Sequence, residues 1–264
     1  MSKLFRIRDY ILISAAITGE IIQNVRFVGD LVPGIMKARY GFVPKNFRKK
    51  SYFTTVSKML STDLIRRKLN SKGLPYLELT SNGENEFKRR FPVFTKKGKK
   101  WDGYFMQVIF DIPEKERKVR QMLRLKLKEL GFGMIQESVF ISPFHFEDDL
   151  KEYLVQSELS DYVYILTVKG FLFGDIKLLA EKVWKIGDIN DKYLSLYKTI
   201  TKKSDKQNIK IYWKEYLRIL VTDPFLPEEF LPKNWIREKV SKAILDLDRE
   251  KIRTTDTKRP FRNS

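Results

Sequence analysis

The sequence predicts an α+β fold in three parts: an N-terminal winged helix-turn-helix, a central ferredoxin-like βαββαβ domain and a helical C-terminal domain. Three observations lead there. Apolar patterns over 101–170 run in the order β-α-β-β-α-β, helical spacing dominates on either side, and charge is divided unevenly among the same three stretches. At 264 residues the chain is long for one compact core. The expected boundaries are 1–95 for the winged helix-turn-helix, 101–172 for the ferredoxin-like domain, 173–248 for the helical domain and 249–264 for a basic tail.

In the N-terminal part, Ile7, Ile11, Leu12, Ala15 and Ile22 recur at helical spacing, and Pro33-Gly34 and Gly41 with Pro44 mark breaks. A second helical pattern runs from Phe47 to Leu60. Thr62-Asp63 is an N-cap candidate leading into a further helix through Leu64, Ile65 and Leu69. After Lys72-Gly73-Leu74 come a β-like Tyr76–Thr80, a turn at Ser81-Asn82-Gly83 and a closing helix through Glu86 and Phe87 to Arg90. Helices, a strand pair acting as a wing and a closing helix are how winged helix-turn-helix domains commonly finish. Residues 91–100, with Lys96-Lys97-Gly98-Lys99-Lys100, suggest a linker.

The first strand of the central part is Tyr104–Phe110. Its helix follows Pro113, with Glu114 and Glu116 suited to a helix start. Val119, Met122, Leu123, Leu127 and Leu130 make its buried stripe. Gly131-Phe132-Gly133 ends the helix and opens a β pair, Met134–Gln136 and Ser138–Ile141. A second helix over Phe146–Val155 and a last strand over Tyr162–Val168 complete the split β-α-β order. Helical spacing then returns over Ile176–Ile186, Lys192–Thr199, Ile211–Val221 and Ile236–Leu247. Three prolines in nine residues make Thr222–Trp235 a stiff crossing whose Phe225, Phe230 and Trp235 plug the core.

The formal net charge is +19, and its position matters more than its size. Residues 1–100 hold 22 Lys and Arg against 7 Asp and Glu; residues 101–174 hold 9 against 12; residues 175–264 hold 21 against 14. Charge concentrated at one end makes a directed field, and double-stranded DNA is its expected partner, because each neutralised phosphate releases counterions. An anionic membrane surface is the rival, but no strongly hydrophobic amphipathic helix accompanies the charge. No apolar run approaches the roughly 20 residues a membrane span needs. The chain has no cysteine, which removes disulfides and thiolate zinc sites and fits a reducing cytoplasm. The expectation is a soluble cytoplasmic protein.

The DNA-contact candidates are Lys45, Arg48, Lys49, Lys50, Tyr52, Thr54, Thr55 and Lys58. They form a basic-aromatic cluster at the start of a helix that could lie in the major groove. The opposing reading is a solvated helix face with Phe47, Phe53, Val56 and Leu60 turned inward. No phosphate loop, nucleophile elbow or zinc motif is present, and the protein is expected not to be an enzyme. His145 is the only histidine and is read as an exposed loop residue.

Two stretches resemble a known family. Trp101-Asp102-Gly103, the strand to Phe110, Asp111-Ile112-Pro113-Glu114, a basic helix, Gly131-Phe132-Gly133 and Ser138-Val139-Phe140-Ile141-Ser142-Pro143 resemble, in this order, the central domain of the PaaX family. These are bacterial repressors named for control of phenylacetic acid catabolism. The series Asp223-Pro224, Leu226-Pro227, Leu231-Pro232 and Trp235 is similar to the signature of the family's helical C-terminal domain. The resemblance covers about 101–248, and 1–100 only in outline: the family's usual recognition-helix run, an Arg followed by a Ser-Arg-Leu-like stretch, is not matched. It implies a homodimeric repressor released by a small effector. In the phenylacetate member that effector is an acyl-CoA, so a small anionic effector is expected here, with no cofactor.

The central stretch is also similar to the small ferredoxin-like subunit of CRISPR spacer-acquisition complexes, where the residue matching Asp111 is a supposed metal ligand. That similarity raises an alternative: a Mg²⁺-dependent nuclease through Asp111, or a nucleic-acid-holding subunit. Asp111 has two readings, a metal ligand or a cap on the strand-to-helix turn, with Glu114 or Glu137 as assisting carboxylates. One carboxylate is a thin set for metal-assisted cleavage, which favours the cap. The single-domain CRISPR subunit does not account for the C-terminal signature.

Overall fold

The computed structural model describes residues 7–18, 51–69, 75–170, 174–203 and 209–256. It is mixed helix and sheet with a helical C-terminal region. The described residues up to Lys185, together with Asp223–Leu231, make one compact unit; Ile186–Thr222 and the chain from Pro232 make a second.

The first unit opens with helix α1 (Ile7–Thr18), whose Ile11, Leu12 and Ala15 are buried as their spacing predicts. Helix α2 (Ser51–Ser61) follows, then an antiparallel hairpin of β1 (Ile65–Leu69) and β2 (Pro75–Leu79), then α3 (Ser81–Arg90). Two expectations are corrected here. Leu64–Leu69 is not a helix: the i, i+4 spacing of Ile65 and Leu69 suits one, but β2 needs a partner for its backbone groups and this segment supplies it. Ser81-Asn82-Gly83 is not a free turn but the first turn of α3, capped by the Thr80 hydroxyl, which accepts from the Gly83 N–H at 3.1 Å.

A cluster of ion pairs ties α1 to α3. Asp9 is 1% exposed and meets Arg90 Nη2 at 2.6 Å. Arg8 Nη2 reaches Glu86 Oε1 at 2.5 Å, while Arg89 and Arg90 approach the same carboxylate at 2.8 and 3.6 Å. Burial pushes the Glu86 carboxyl up, but the Arg89 hydrogen bond and the charges of Arg8, Arg89 and Arg90 outweigh it and hold it below the usual range.

The expected linker at 91–100 is packed structure at its start. Pro92–Lys96 forms a 3₁₀ turn with Phe91, Pro92 and Val93 buried, and Phe94 lies 5.6 Å from Phe87 and 4.7 Å from Phe225. Aromatic burial here overrides the local charge. Lys96 is half-buried, donates to the His145 carbonyl at 3.1 Å and sits 4.8 Å from the Phe146 ring centre. Its burial depresses the ammonium below the usual lysine range, against the opposing pull of Asp149.

The central sheet contains β3 (Tyr104–Phe110), β4 (Gly133–Gln136), β5 (Val139–Ser142) and β6 (Val163–Lys169), with helices α4 (Arg117–Glu129) and α5 (Glu147–Gln156) in the predicted order. The strand order is β4-β5-β3-β6, all antiparallel, which is the split β-α-β topology. Register places Met106, Val108, Phe110, Phe140 and Val163 on one face; all are buried, as are Leu123 and Leu127 of α4 and Leu150 and Leu154 of α5.

The other sheet face carries Phe105, Ile141 and Gly133. Helix α6 (Ile176–Trp184), capped by Asp175, presses onto it. A Cβ on Gly133 would come within 2.1 Å of Val183 and 2.6 Å of the Trp184 ring, so only glycine permits this approach. Trp184 donates from Nε1 to the Gly131 carbonyl at 2.9 Å. The proline-rich crossing enters beside it: Phe230 is fully buried, with ring centres 5.2 Å from Trp101, 5.8 Å from Phe105 and 6.2 Å from Trp184. Phe225 is 2% exposed and the Asp223 carboxylate accepts its N–H at 2.8 Å.

The second unit packs three helices, α7 (Ile186–Lys203), α8 (Ile209–Leu220) and α9 (Arg237–Asp256), each against the other two. α7 is separated from α6 by Lys185, which adopts a left-handed φ of 52° and divides the helical pattern expected over Ile176–Ile186. Ile189, Tyr193, Leu196 and Ile200 line its buried face at helical spacing. Tyr193 packs against Tyr216 and Trp235. The buried Asn190 accepts from the Ile236 N–H at 3.2 Å and donates to the Asn234 carbonyl at 3.3 Å, fixing where α9 begins.

Two expected outcomes follow from this packing. Phe230→Ala empties a fully enclosed site and should cost about 3–5 kcal/mol, read by urea unfolding with Trp101 and Trp184 as the fluorescent reporters. Because the folded pKa of Glu86 lies below its ordinary 4.5, the carboxylate contributes stability above that value, and the contribution is lost as pH falls through the folded value. The stability gap between wild type and Glu86→Gln should be full at neutral pH and close on acidification below about pH 4.5; a gap constant down to acid pH would refute the role of the pairs.

Candidate nucleic-acid interface

The candidate interface is built from α2 and the hairpin that follows it. α2 exposes Thr54 and Lys58, half-buries Thr55 and buries Met59. Its end is tightly closed. The Ser61 and Thr62 hydroxyls donate to the Lys58 carbonyl at 3.0 and 2.8 Å, and the Leu64 N–H bonds the Met59 carbonyl at 2.9 Å. Asp63 takes a left-handed φ of 51°, the reversal a helix end needs before a strand.

The junction is then locked to α3. Asn82 Nδ2 donates to Asp63 Oδ2 at 3.0 Å, and the Thr80 hydroxyl donates to the Asp63 carbonyl. Gly83 lies so close to the Leu64 carbonyl that a Cβ would meet its oxygen at 1.9 Å. Asp63, Thr80, Asn82 and Gly83 therefore set the angle between α2 and the hairpin.

Beyond buried Ile65, β1 presents Arg66, Arg67 and Lys68 in succession, all exposed. Glu78 across the hairpin meets Arg66 at 2.5 Å and Lys68 at 2.8 Å. Its carboxyl is held below the usual range by the Lys68 hydrogen bond, aided by Arg66 and opposed by partial burial. Arg67 pairs in register with Leu77 on the opposite face, and among the described residues it has no acidic partner. One acid thus stiffens two cations along the hairpin while the third points elsewhere.

Of the predicted contact residues, Thr54, Thr55 and Lys58 lie together on α2. Lys45, Arg48, Lys49 and Lys50 lie outside the described residues. Tyr52 falls within α2, but its side chain lies outside them too. The hairpin cations were missed by sequence reasoning because 64–69 fits a helical spacing. The available signal was Tyr76–Thr80, a strand that needs a partner, with 64–69 the nearest upstream segment.

The central domain directs its charges inward on itself. Arg120 holds Glu114 at 2.7 Å, and Arg124 binds Glu137 through both its carboxylate, at 3.0 Å, and its carbonyl, at 2.9 Å. The two carboxylates that could assist Asp111 are thereby engaged by arginines. Asp111 is exposed at the end of β3, its N–H donating to the Tyr162 carbonyl at 3.0 Å. Neither the 3₁₀ turn over Glu114–Glu116 nor α4 receives a side-chain cap, which leaves the capping role expected of Asp111 without a bond. Among the described residues, no group of three or more acidic or histidine side chains is arranged to hold a metal ion. His145 is half-buried rather than exposed, with Nε2 2.9 Å from Asp102 Oδ2. The Asp102 carboxyl is pushed up by partial burial, but the Tyr104 N–H and the His145 ring outweigh this and lower it. No helix among the described residues is long and apolar enough to cross a membrane.

Comparison with known proteins adds the following. Residues 98–179 match the family model of the PaaX protein central Cas2-like domain, and residues 184–257 match that of the PaaX-like protein C-terminal domain. Together they span more than half of the chain. The fold is similar to that of the uncharacterized protein Rv0674 from Mycobacterium tuberculosis, with a TM-score of 0.54 at 18% identity, covering 86% of this chain and 89% of that one. No curated protein matches the sequence significantly.

Proposed function

Since the chain belongs to the PaaX family, we propose that it is a DNA-binding transcriptional regulator, acting as a dimeric repressor that a small effector releases. The observation that carries this reading is the basic end of the chain, where α2 is followed by a hairpin presenting Arg66, Arg67 and Lys68. In this reading α2 enters the major groove, the hairpin is a wing lying on the phosphate backbone, and α1 and α3 form the body behind them. Phosphate contacts from the hairpin would fix register, and base contacts from α2 would read sequence.

The dimer is supported by the sheet edge. β6 is the outer strand of the central sheet, and Tyr164, Leu166 and Val168 alternate along it at 64%, 43% and 36% exposure. It lies in the one stretch with more acids than bases, 12 against 9. Two copies of a strongly basic chain meet at least cost there. An exposed apolar edge strand without proline or inward charge is a pairing surface. Antiparallel self-pairing centred on Leu166 would set Tyr164 against Val168 and keep the two Lys169 ammonium groups apart.

The reading is tested by selecting binding sites from random duplexes at ~150 mM salt, with Mg²⁺ present and the products resolved on a gel. Enrichment of an intact two-fold site is expected. Arg67→Ala should weaken binding about equally across sequences and reduce the salt dependence by roughly one counterion. Strand cleavage that disappears in Asp111→Ala would replace the regulator with a nuclease. Leu166→Lys should shift the particle from dimer to monomer in sedimentation velocity, and a mass unchanged by that substitution would remove β6 from the interface.

A further inference from the structure

Helix α2 has two distinct faces. Thr54, Ser57, Lys58 and Ser61 are exposed and share one arc of about 100° on a helix of 3.6 residues per turn. Met59 is buried, and Thr55, Val56 and Leu60 are half-buried, on the opposite arc. From Thr54 to Ser61 the helix rises about 10 Å, the height of about three base-pair steps at roughly 3.4 Å each. The exposed stripe is therefore long enough to span several base pairs in a groove that admits one helix.

The hydrogen-bonding roles along this stripe differ. The Thr54 and Ser57 hydroxyls have no partner among the described residues and can donate or accept. The Lys58 ammonium only donates, and it is exposed without an ion pair among the described residues. Ser61 is the reverse case. A carbonyl cannot donate, so the 3.0 Å bond between the Ser61 hydroxyl and the Lys58 carbonyl consumes the hydroxyl's one proton. Only lone pairs are left to face outward. Thr62 is committed in the same way at 2.8 Å, and the Asp63 carboxylate, one oxygen of which accepts from Asn82, adds acceptors beyond it. Within one turn the end of α2 passes from a pure donor to pure acceptors, and the bonds of Thr80 and Asn82 to Asp63 hold it there.

Base edges in the major groove differ in the same respect. Guanine shows two acceptors, cytosine and adenine show an amino donor, and thymine shows an acceptor and a methyl group. We propose that Lys58 reads O6 and N7 of a guanine while Ser61 accepts from the amino group of a cytosine or adenine in the adjoining base pair. This assignment rests on the DNA reading above and adds the bases that α2 recognises.

The test is site selection from random duplexes at ~150 mM salt, run with the full chain as wild type, Lys58→Gln, Ser61→Ala and Arg67→Ala. Wild type should enrich a guanine adjoining a cytosine or adenine, and changing that guanine should cost about tenfold in affinity. Lys58→Gln should move that one position to adenine, because a glutamine amide pairs with adenine N6 and N7, and leave its neighbour as it was. Ser61→Ala should admit thymine at the neighbour, since a methyl group replaces the acceptor, and leave the guanine. Arg67→Ala should alter neither position. Lys58 and Ser61 are both exposed, so the melting temperatures of their variants should stay near that of wild type. The role of Lys58 is overturned if Lys58→Gln keeps the guanine, or if it weakens every site alike, which would put the ammonium on phosphate. The role of Ser61 is overturned if wild type enriches guanine or thymine at the neighbour, or if Ser61→Ala changes nothing there. A wild type that enriches no sequence refutes the DNA reading itself, and this assignment with it.

Discussion

The enclosure of Phe230 is the constraint on which the first unit depends. Its ring has no exposure, and the walls around it come from the start of β3, the end of α6 and the crossing itself. Those pieces are spread over more than a hundred residues of chain, so none can close the site alone. The same packing requires Gly133 to lack a side chain, because α6 must lie directly on β4 to bring Trp184 to the ring. Prolines 224, 227 and 232 fix φ at three points of the crossing, which lowers the entropy lost when it docks. Aromatic edge contacts then add to the area buried.

Charge in the molecule is divided between internal use and outward display. Arg8, Arg89 and Arg90 serve the α1–α3 junction, and Arg120 and Arg124 of α4 are taken up by Glu114 before the helix and Glu137 in the β4–β5 turn. The buried Asp9–Arg90 pair loses little to salt, whereas the pairs of Glu114 and Glu137 are exposed and are screened. Lys58 and Arg67 contrast with them, exposed and without a described ion pair. A count of basic residues overstates the surface field, and on α2 and the hairpin Lys58 and Arg67 are the described cations that survive pairing. Their mutual angle is held by hydrogen bonds from Thr80 and Asn82 to Asp63, so a rigid junction underlies the surface proposed to meet DNA.

The second unit obeys a different economy. Its helices meet through tyrosine and tryptophan rings and one buried asparagine, which fixes the first turn of α9 through two backbone bonds. Such an asparagine sets position more than it adds stability, since its bonds replace bonds to water.

The central topology was legible from the chain alone, because strands of period two and helices of period three to four alternate there between glycine and proline breaks. Strand β3 matched its predicted span, and Phe225 and Phe230 were identifiable as buried because prolines exclude a helix and leave aromatic residues nowhere else to go. The local signals failed where two periods compete. Ile65 and Leu69 satisfy a helix by spacing, and only the unpaired backbone of β2 makes the segment a strand. Phe91 and Phe94 looked like linker amid lysines until Phe87 and Phe225 supplied rings for them to pack on. Which cations remain outward and that Glu114 and Glu137 are held by arginines were also decided in three dimensions. Sequence determines local period, composition and charge, but pairing between distant side chains is a property of the packed chain, because it depends on which groups burial brings within a few ångströms.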